Sequence, residues 1–341
     1  GIEKNISLSF RSSPFGSGNH THSNQNAFNL HYGGEAVFHA VGHYMNFCDP
    51  HNLLSYRNTR AHNTMLINGI GQPFTPDAYG YIVRMFNGDN ISYALGDAST
   101  AYCGISNIRF GKEVLEVSSD TNAENGFGET PLKKYRRHIF LLHPNKVVIY
   151  DELEAKEKVR LGLVAASPVK FDINPAASIL TTVNKEKGFS SVVQLFCEQE
   201  AAITQTDKYA APPNHADAQR GEDLPIPGHL LQVSAEQENR ILTIIQVEAD
   251  GRQAVQIMRE GNTFRCGEWV IEAELNANAG QIDIRNSRNN AVFSYGDKKP
   301  EINGELYSCK EKDASVLFDC VNGEWTVQEM GDQRVQTMGK W

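Results

Sequence analysis

The sequence lacks any long apolar run. None of its 341 residues belongs to an uninterrupted stretch of about 18 apolar residues, the shortest length expected of a membrane-spanning helix. We therefore expect no membrane span. No secretory signal-peptide pattern is visible at the start of the sequence either.

Positive charge is also scarce. The sequence has 32 lysines and arginines against 41 aspartates and glutamates, which gives a formal net charge of −9. Duplex nucleic acid binds to basic protein faces, so this balance argues against nucleic acid as the main partner. An acidic ligand would depend on a local group of cations.

Several signature motifs are absent. The six cysteines include no C-x-x-C pair, which argues against a zinc ribbon or a redox motif, and their wide spacing predicts free buried thiols. No G-x-S-x-G, P-loop or dinucleotide-binding fingerprint occurs. These absences exclude the common hydrolase and nucleotide-binding signatures.

Helical periodicity is scarce, whereas short strand-like runs recur between turn residues. They predict an all-β fold, an antiparallel β-sandwich of two large sheets. A change in the sequence pattern near residues 249–251 predicts a sandwich over residues 1–248 and a smaller C-terminal β unit over 249–341. Residues 208–228 are predicted to form a long loop. The predicted strands are 27–32, 36–41, 63–67, 91–94, 138–142, 146–150, 159–165, 191–196, 230–233, 241–247, 254–259, 269–273, 281–285 and 290–295.

Histidine is concentrated near the start of the chain. Seven of the eleven histidines lie between His20 and His62. Imidazole transfers protons near neutral pH and is the commonest metal ligand. His20 and His22 form an H-x-H pair, which a strand would place on one face. His22, His39 and His62 on neighbouring strands could bind a tetrahedral zinc ion; alternatively, His39 is a core histidine bonded to the backbone.

Two further segments carry charged side chains. Residues 56–63 combine a tyrosine, two arginines and a histidine; arginine binds carboxylate or sulfate through a fork of donors, and tyrosine can protonate a leaving oxygen. The alternative is a solvated turn. The carboxylates of residues 150–154 are predicted to lie in a solvated turn at the end of a strand.

Three stretches, taken in order, resemble the heparinase II/III-like polysaccharide lyases, including their oligoalginate lyase branch. They cover roughly the first 155 residues, and the AHNT run followed by NGIGQ is the most specific part. The stretches are residues 20–28 (HTHSNQNAF) with 32–35 (YGGE), residues 42–44 (GHY) with 59–64 (TRAHNT) and 68–72 (NGIGQ), and residues 136–139 (RRHI) with 147–155 (VVIYDELEA).

The resemblance implies that an α/α toroid precedes the sandwich and that an acidic polysaccharide, such as a glycosaminoglycan or alginate, lies in the cleft between them. The reaction is β-elimination on a uronic acid. His20 would be the catalytic histidine and Tyr44 or Tyr56 the catalytic tyrosine, with Tyr44 preferred. His22 and His62 would flank a structural metal, and Arg57, Arg60 and Asn63 would bind substrate. A periplasmic or secreted location is implied as well.

The sequence departs from this pattern at several places. The family's middle metal ligand is an aspartate, but His39 or Ala40 stands near that position, and Asn24 stands where many members have aspartate. The toroid is missing, so we expect a C-terminal part that is inactive, or nearly so, by itself. The alternatives are a carbohydrate-binding sandwich module without catalysis and a zinc hydrolase; no carboxylate base lies beside the H-x-H pair to support the latter.

Overall fold

The computed structural model describes most of the chain. His43, which stands between Gly42 and Tyr44, lies outside the described residues, as do residues 214–228 of the predicted loop. The side chains of residues 229–237 are not described. The described residues are 5–17, 20–42, 44, 49–104, 121–199, 201–213, 229–237, 240–276, 279–286, 288, 290–297, 300–302, 304–311 and 313–333.

The described residues form 24 strands, and every strand pair is antiparallel, which confirms the predicted all-β class. The strands in chain order are β1 (Ile6–Arg11), β2 (Ala27–Tyr32), β3 (Glu35–Phe38), β4 (Met65–Ile67), β5 (Tyr81–Asn87), β6 (Ile91–Asp97), β7 (Leu132–Leu142), β8 (Lys146–Ala155), β9 (Val159–Ser167), β10 (Asp172–Asn174), β11 (Ile179–Asn184), β12 (Phe189–Phe196), β13 (Ala202–Thr206), β14 (His229–Gln237), β15 (Arg240–Ala249), β16 (Met258–Glu260), β17 (Thr263–Cys266), β18 (Trp269–Ala273), β19 (Ile282–Asn286), β20 (Ala291–Tyr295), β21 (Glu301–Ile302), β22 (Glu305–Leu306), β23 (Ser315–Val321) and β24 (Glu324–Met330).

Helical structure is limited to short segments in the described part of the chain. None of them is long and apolar enough to cross a membrane. The segments are a π-helical turn at Asn52–Tyr56 and 3-10 turns at Thr59–Ala61, Ala123–Asn125 and Pro175–Ala177.

An eight-stranded sheet in the order β10-β11-β12-β15-β8-β7-β6-β5 forms the middle layer. Its central strands are apolar on both faces, because neighbouring side chains alternate between two cores. On β8, Val147 and Ile149 enter one core, whereas Val148 and Tyr150 enter the other. The first core is closed by a three-stranded sheet, β1-β2-β3, and a four-stranded sheet, β13-β14-β9-β4.

The second core is closed by a seven-stranded sheet near the C-terminus, in the order β16-β17-β18-β19-β20-β23-β24. The middle layer ends in sequence with β15 at Ala249, and the seven-stranded sheet begins at Met258. A change of sheet therefore falls close to the predicted boundary at residue 249. The division into two domains stays a prediction, because the two sheets share one apolar core.

The predicted solvated turn at residues 150–154 is wrong. These residues continue β8, and the carboxylates of Asp151 and Glu152 are buried. Each has a partner on β7: Arg137 donates to both Asp151 oxygens at 2.7 and 2.9 Å, and His138 Nε2 lies 2.8 Å from Glu152 Oε1. Buried carboxylates are tolerated here because they are paired.

The prediction of free, buried thiols holds in part. None of the five cysteines in the described part of the chain is in a disulfide bond. Of these, Cys266 is buried, but Cys103 and Cys309 are exposed. The prediction that the cysteines are buried is therefore correct for Cys266 and wrong for Cys103 and Cys309.

Candidate functional site

The segments that carry the histidines are held together by hydrogen bonds from side chains to the backbone. Thr59 Oγ1 donates to the Ser23 carbonyl and Thr64 Oγ1 to the Gln25 carbonyl, both at 2.9 Å. The Ser23 amide also donates to the Arg57 carbonyl at 3.0 Å. Residues 20–26 are thereby fixed against residues 57–64, which brings His22 next to His62.

His22 and His62 form a close pair. His22 Nδ1 lies 3.1 Å from His62 Nε2, and the edge of the His22 ring meets Tyr56 at 4.6 Å between centroids. Burial, followed by the charges of Arg57 and Arg11, lowers the pKa of His22 to about 4. Burial also lowers the pKa of His62 well below its ordinary value. Both rings are therefore neutral near pH 7, the form that binds metal.

Of the three histidines predicted to bind zinc, His22 and His62 lie close together. Two imidazole nitrogens on one tetrahedral zinc ion lie about 3.3 Å apart, which fits the His22–His62 separation. His39 does not join them, since its Nδ1 contacts the carbonyl of Ala40. This is the alternative in which His39 is bonded to the backbone. Within the described ranges, no three His, Cys, Asp or Glu side chains are placed to share a metal ion.

His20 and Tyr44 form a second, exposed pair. Their ring centroids are 5.9 Å apart, and 49% of Tyr44 is exposed. The H-x-H pair does not lie on a strand that would place both rings on one face, because residues 20–26 form turns and bends. His20 therefore faces solvent beside Tyr44, while the half-buried His22 faces His62. Tyr56, the alternative catalytic tyrosine, packs on His22 instead.

Arg57 is buried behind the two histidines. Only 2% of it is exposed, and its guanidinium lies 5.0 Å from the centre of the Phe74 ring. Its Nε and Nη2 donate to the Thr21 carbonyl at 3.1 and 2.9 Å. Burial lowers the pKa of Arg57, whereas Tyr44 acts to raise it. This geometry favours a positioning role for Arg57 over the predicted contact with substrate.

Asn63 is also occupied by the fold. It is 1% exposed, its Nδ2 donates to the Phe28 carbonyl at 2.7 Å, and its Oδ1 accepts from the Ala166 amide at 2.7 Å. The side chain thus joins β2 to β9. A role in positioning the segment that carries His62 fits this geometry better than a contact with substrate.

Arg60 is the predicted substrate-binding residue that reaches an open cavity. It is half-buried, and its Nη2 donates to the Glu124 carbonyl at 3.2 Å. Gly126 permits this placement, because a Cβ there would lie 2.6 Å from Arg60 Nη2. Burial lowers the pKa of Arg60, but a guanidinium remains charged in proteins.

Arg11 is a site residue that the sequence did not reveal. It ends β1, donates to Asn24 Oδ1 and to the Gly16 carbonyl, and lowers the pKa of both His22 and His62. Only the pairing of β1 with β2 brings it to the histidines, where Arg11 lies opposite Ala27.

Residues 3–303 match the family model for the C-terminal region of heparinase II/III-like proteins. The chain belongs to the heparinase II/III-like family. The predicted resemblance is thereby confirmed for most of the sequence. No curated protein gives a significant match to this heparinase II/III-like sequence.

Solved structures share the fold of this heparinase II/III-like chain. Heparan sulfate lyase HepC from Pedobacter heparinus superposes with a TM-score of 0.56 at 10% identity, over 82% of this chain and 37% of that chain. A heparinase III with methylated lysines gives a TM-score of 0.57 at 12% identity, over 84% of this chain and 38% of that chain. The chain therefore spans less than two fifths of the length of either solved structure.

Proposed function

We propose that this chain is the sandwich part of a polysaccharide lyase that cleaves a uronic-acid-containing polysaccharide, a glycosaminoglycan or alginate, by β-elimination. One observation carries the proposal: His20, whose ring lies beside the exposed ring of Tyr44, belongs to a turn that is held by Arg57 and by the contact between His22 and His62. Exposed acid–base groups on a rigid support are what proton transfer to and from a bound sugar requires.

His20 and Tyr44 would share the two proton transfers. Elimination needs a base that removes the proton at C5 of the uronate and an acid that protonates the departing glycosidic oxygen. Imidazole and phenol can both serve in these roles. The 5.9 Å between the two ring centroids leaves both groups within reach of neighbouring atoms of one sugar.

The remaining site residues would bind and orient. Arg57 holds the Thr21 carbonyl and thereby the turn between His20 and His22. Arg60 would bind a carboxylate or sulfate of a saccharide in the open cavity that it lines, through its fork of donors. His22 Nδ1 and His62 Nε2 would hold a structural zinc ion, which would add positive charge and stiffness behind the turn.

We further propose that the rest of the enzyme, an N-terminal α/α toroid, supplies the other wall of the cleft. This proposal is supported by the fact that the chain covers only 37% and 38% of the length of the two lyase structures. The isolated sandwich would then be inactive or nearly so, and the enzyme would act in the periplasm or outside the cell.

The test is an elimination assay on heparin, heparan sulfate, chondroitin, hyaluronan and alginate, followed by the ultraviolet absorbance of the unsaturated uronate. The full-length gene product should form product, and this chain alone should not. In the full-length protein, His20→Ala and Tyr44→Phe should each reduce kcat by at least about 100-fold. The control His31→Ala, at a half-buried position of β2, should retain activity.

Three other outcomes would contradict parts of the proposal. Equal activity in both proteins would contradict the proposed need for a toroid. Full activity of the His20→Ala variant would contradict the role of His20. A folded full-length protein that releases no unsaturated product from any polysaccharide would instead favour a carbohydrate-binding module.

A further inference from the structure

A cavity of about 580 Å³ lies on the outer face of the four-stranded sheet β13-β14-β9-β4. Leu66 of β4 and Val164 of β9 line it, while their neighbours Met65 and Leu163 point the other way into the core. Ligand pockets commonly measure about 300–1,000 Å³, so the cavity is large enough for a short oligosaccharide.

The cavity is positively charged within an acidic molecule. Arg60, Arg160 and Lys208 line it, whereas Glu124 is the only acidic side chain among its described lining residues. The whole chain carries a net charge of −9. Arg160 and Lys208 are exposed, and neither forms a salt bridge within the described part of the structure. Such a local excess of cations favours an anionic ligand.

Neutral polar groups and an aromatic ring complete the lining. The side chain of Gln205 forms two hydrogen bonds with the backbone of Phe171. Its Oε1 accepts from the Phe171 amide at 2.8 Å, and its Nε2 donates to the Phe171 carbonyl at 3.1 Å. Asn68 Oδ1 accepts from the Arg160 amide at 2.8 Å. Tyr209 packs its ring against His51 at 4.4 Å. Fixed amides, cations and an aromatic ring suit a ligand that has hydroxyl groups, acidic groups and apolar ring faces.

The cavity is separated from His20 and His22 by the segment that precedes His62. Tyr56 of this segment packs on His22, whereas Ser55, Arg60 and Ala61 line the cavity. The two sites therefore lie on different sides of one short stretch of chain. A saccharide in the cavity would be beyond the groups proposed for catalysis.

We propose that this cavity is a second, non-catalytic binding site for an acidic oligosaccharide, with Arg160 and Lys208 as its main anion-binding groups. The choice of an acidic saccharide rests on the proposed lyase function. The site itself follows from the cavity, its charge and its fixed polar lining.

The test measures the affinity of a heparin tetrasaccharide for this chain by calorimetry at physiological salt. All proteins carry His20→Ala, so that turnover does not interfere. Arg160→Ala with Lys208→Ala should weaken binding about tenfold or more, because charged hydrogen bonds are lost. The matched control, Arg252→Ala with Lys185→Ala, removes the same charge at exposed positions outside the cavity lining and should change affinity less than about twofold.

A variant that keeps every charge checks the location. Ala210→Trp adds bulk to the lining and should weaken binding, whereas Ala176→Trp, at an exposed turn elsewhere, should not. Cellotetraose, which has no acidic group, should bind far more weakly than the heparin tetrasaccharide.

Three results would overturn the proposal: no binding of the tetrasaccharide, an equal loss in the two double variants, or unchanged affinity in Ala210→Trp. Melting temperatures of all variants establish that they are folded. The assay for unsaturated product is separate, so a failure of the lyase function and a failure of this binding site give different results.

Discussion

Arg57 donates two hydrogen bonds to the Thr21 carbonyl from a guanidinium that is almost fully buried. Thr21 lies between His20, which faces solvent, and His22, which faces His62. One buried cation thereby fixes the turn that carries an exposed histidine on one side and a half-buried histidine on the other. The site depends on a residue that has little surface of its own for substrate.

Replacing Arg57 should therefore affect both stability and activity. In Arg57→Lys, a single ammonium cannot reproduce the two parallel donors, and we expect a loss of about 2 kcal/mol of unfolding free energy. In the full-length enzyme, kcat should fall more than KM rises, because the catalytic turn is displaced while the substrate-binding groups remain. Urea unfolding and steady-state kinetics measure the two effects. Arg252→Lys is the control, and an unchanged kcat in a destabilised Arg57→Lys variant would contradict the positioning role.

Metal content should distinguish His62 from His39. If His22 and His62 hold a zinc ion, His62→Ala should lose the metal and lower the melting temperature, because a ligand that binds only the folded state stabilises it. His39→Ala should retain the metal, since His39 contacts the Ala40 carbonyl instead. Elemental analysis and thermal melts with and without a chelator give the answer. Equal zinc content in wild type and His62→Ala would remove the proposed site.

The Arg137–Asp151 pair should contribute strongly to the stability of the fold. Both side chains are completely buried, and Arg137 also donates to the carbonyls of Asn26 and Asn63. Asp151→Asn leaves a buried guanidinium without its counter-charge and should cost roughly 3–5 kcal/mol. Glu35→Gln, which removes the exposed partner of Lys187, should have a far smaller effect in the same urea titration. Similar losses in the two variants would contradict this account.

Acid should destabilise the protein through His138 and His22, and then through Glu152. Burial lowers the pKa of His138 below its ordinary value of 6.5, and burial lowers that of His22 to about 4. For Glu152, burial acts to raise the pKa, but the hydrogen bond from His138 and nearby positive charge outweigh it and lower the pKa below 4.5. All three groups take up protons more readily in the unfolded chain, so stability present at pH 7 is lost as the pH falls.

The loss should begin below about pH 6.5, where unfolded histidines become protonated, and should steepen below about pH 4.5. Urea midpoints measured from pH 7.5 to pH 4 test this dependence. In His138→Gln, the decline between pH 7 and pH 5 should be shallower than in wild type. A midpoint that stays constant or rises on acidification would show that the assigned directions are wrong.

The sequence predicted the strands with strong apolar patterns and missed the weaker ones. Its predicted strands at 27–32 and 269–273 coincide with β2 and β18, because turn residues bound apolar runs in both places. Short or polar strands such as β10 and β22 exist through pairing with a neighbour, which no local pattern indicates.

Contacts between side chains were harder to predict than strands. His22 and His62 are 40 residues apart and meet, whereas His39, between them in sequence, does not join them. Asp151 was predicted to lie in a solvated turn, because the sequence around it does not show its partner. That partner, Arg137, lies directly opposite on the neighbouring strand. Recognising β7 and β8 as a hairpin would have paired them, since the strand register alone places opposite charges face to face.

The two-faced middle sheet makes the C-terminal unit inseparable from the rest of this chain. A chain cut after Ala249 would keep all eight strands of that sheet and yet uncover one side of it, where Phe140, Val148 and Leu242 now lie. An open apolar surface of this kind promotes aggregation. Truncation at that point should therefore yield insoluble protein rather than a smaller sandwich.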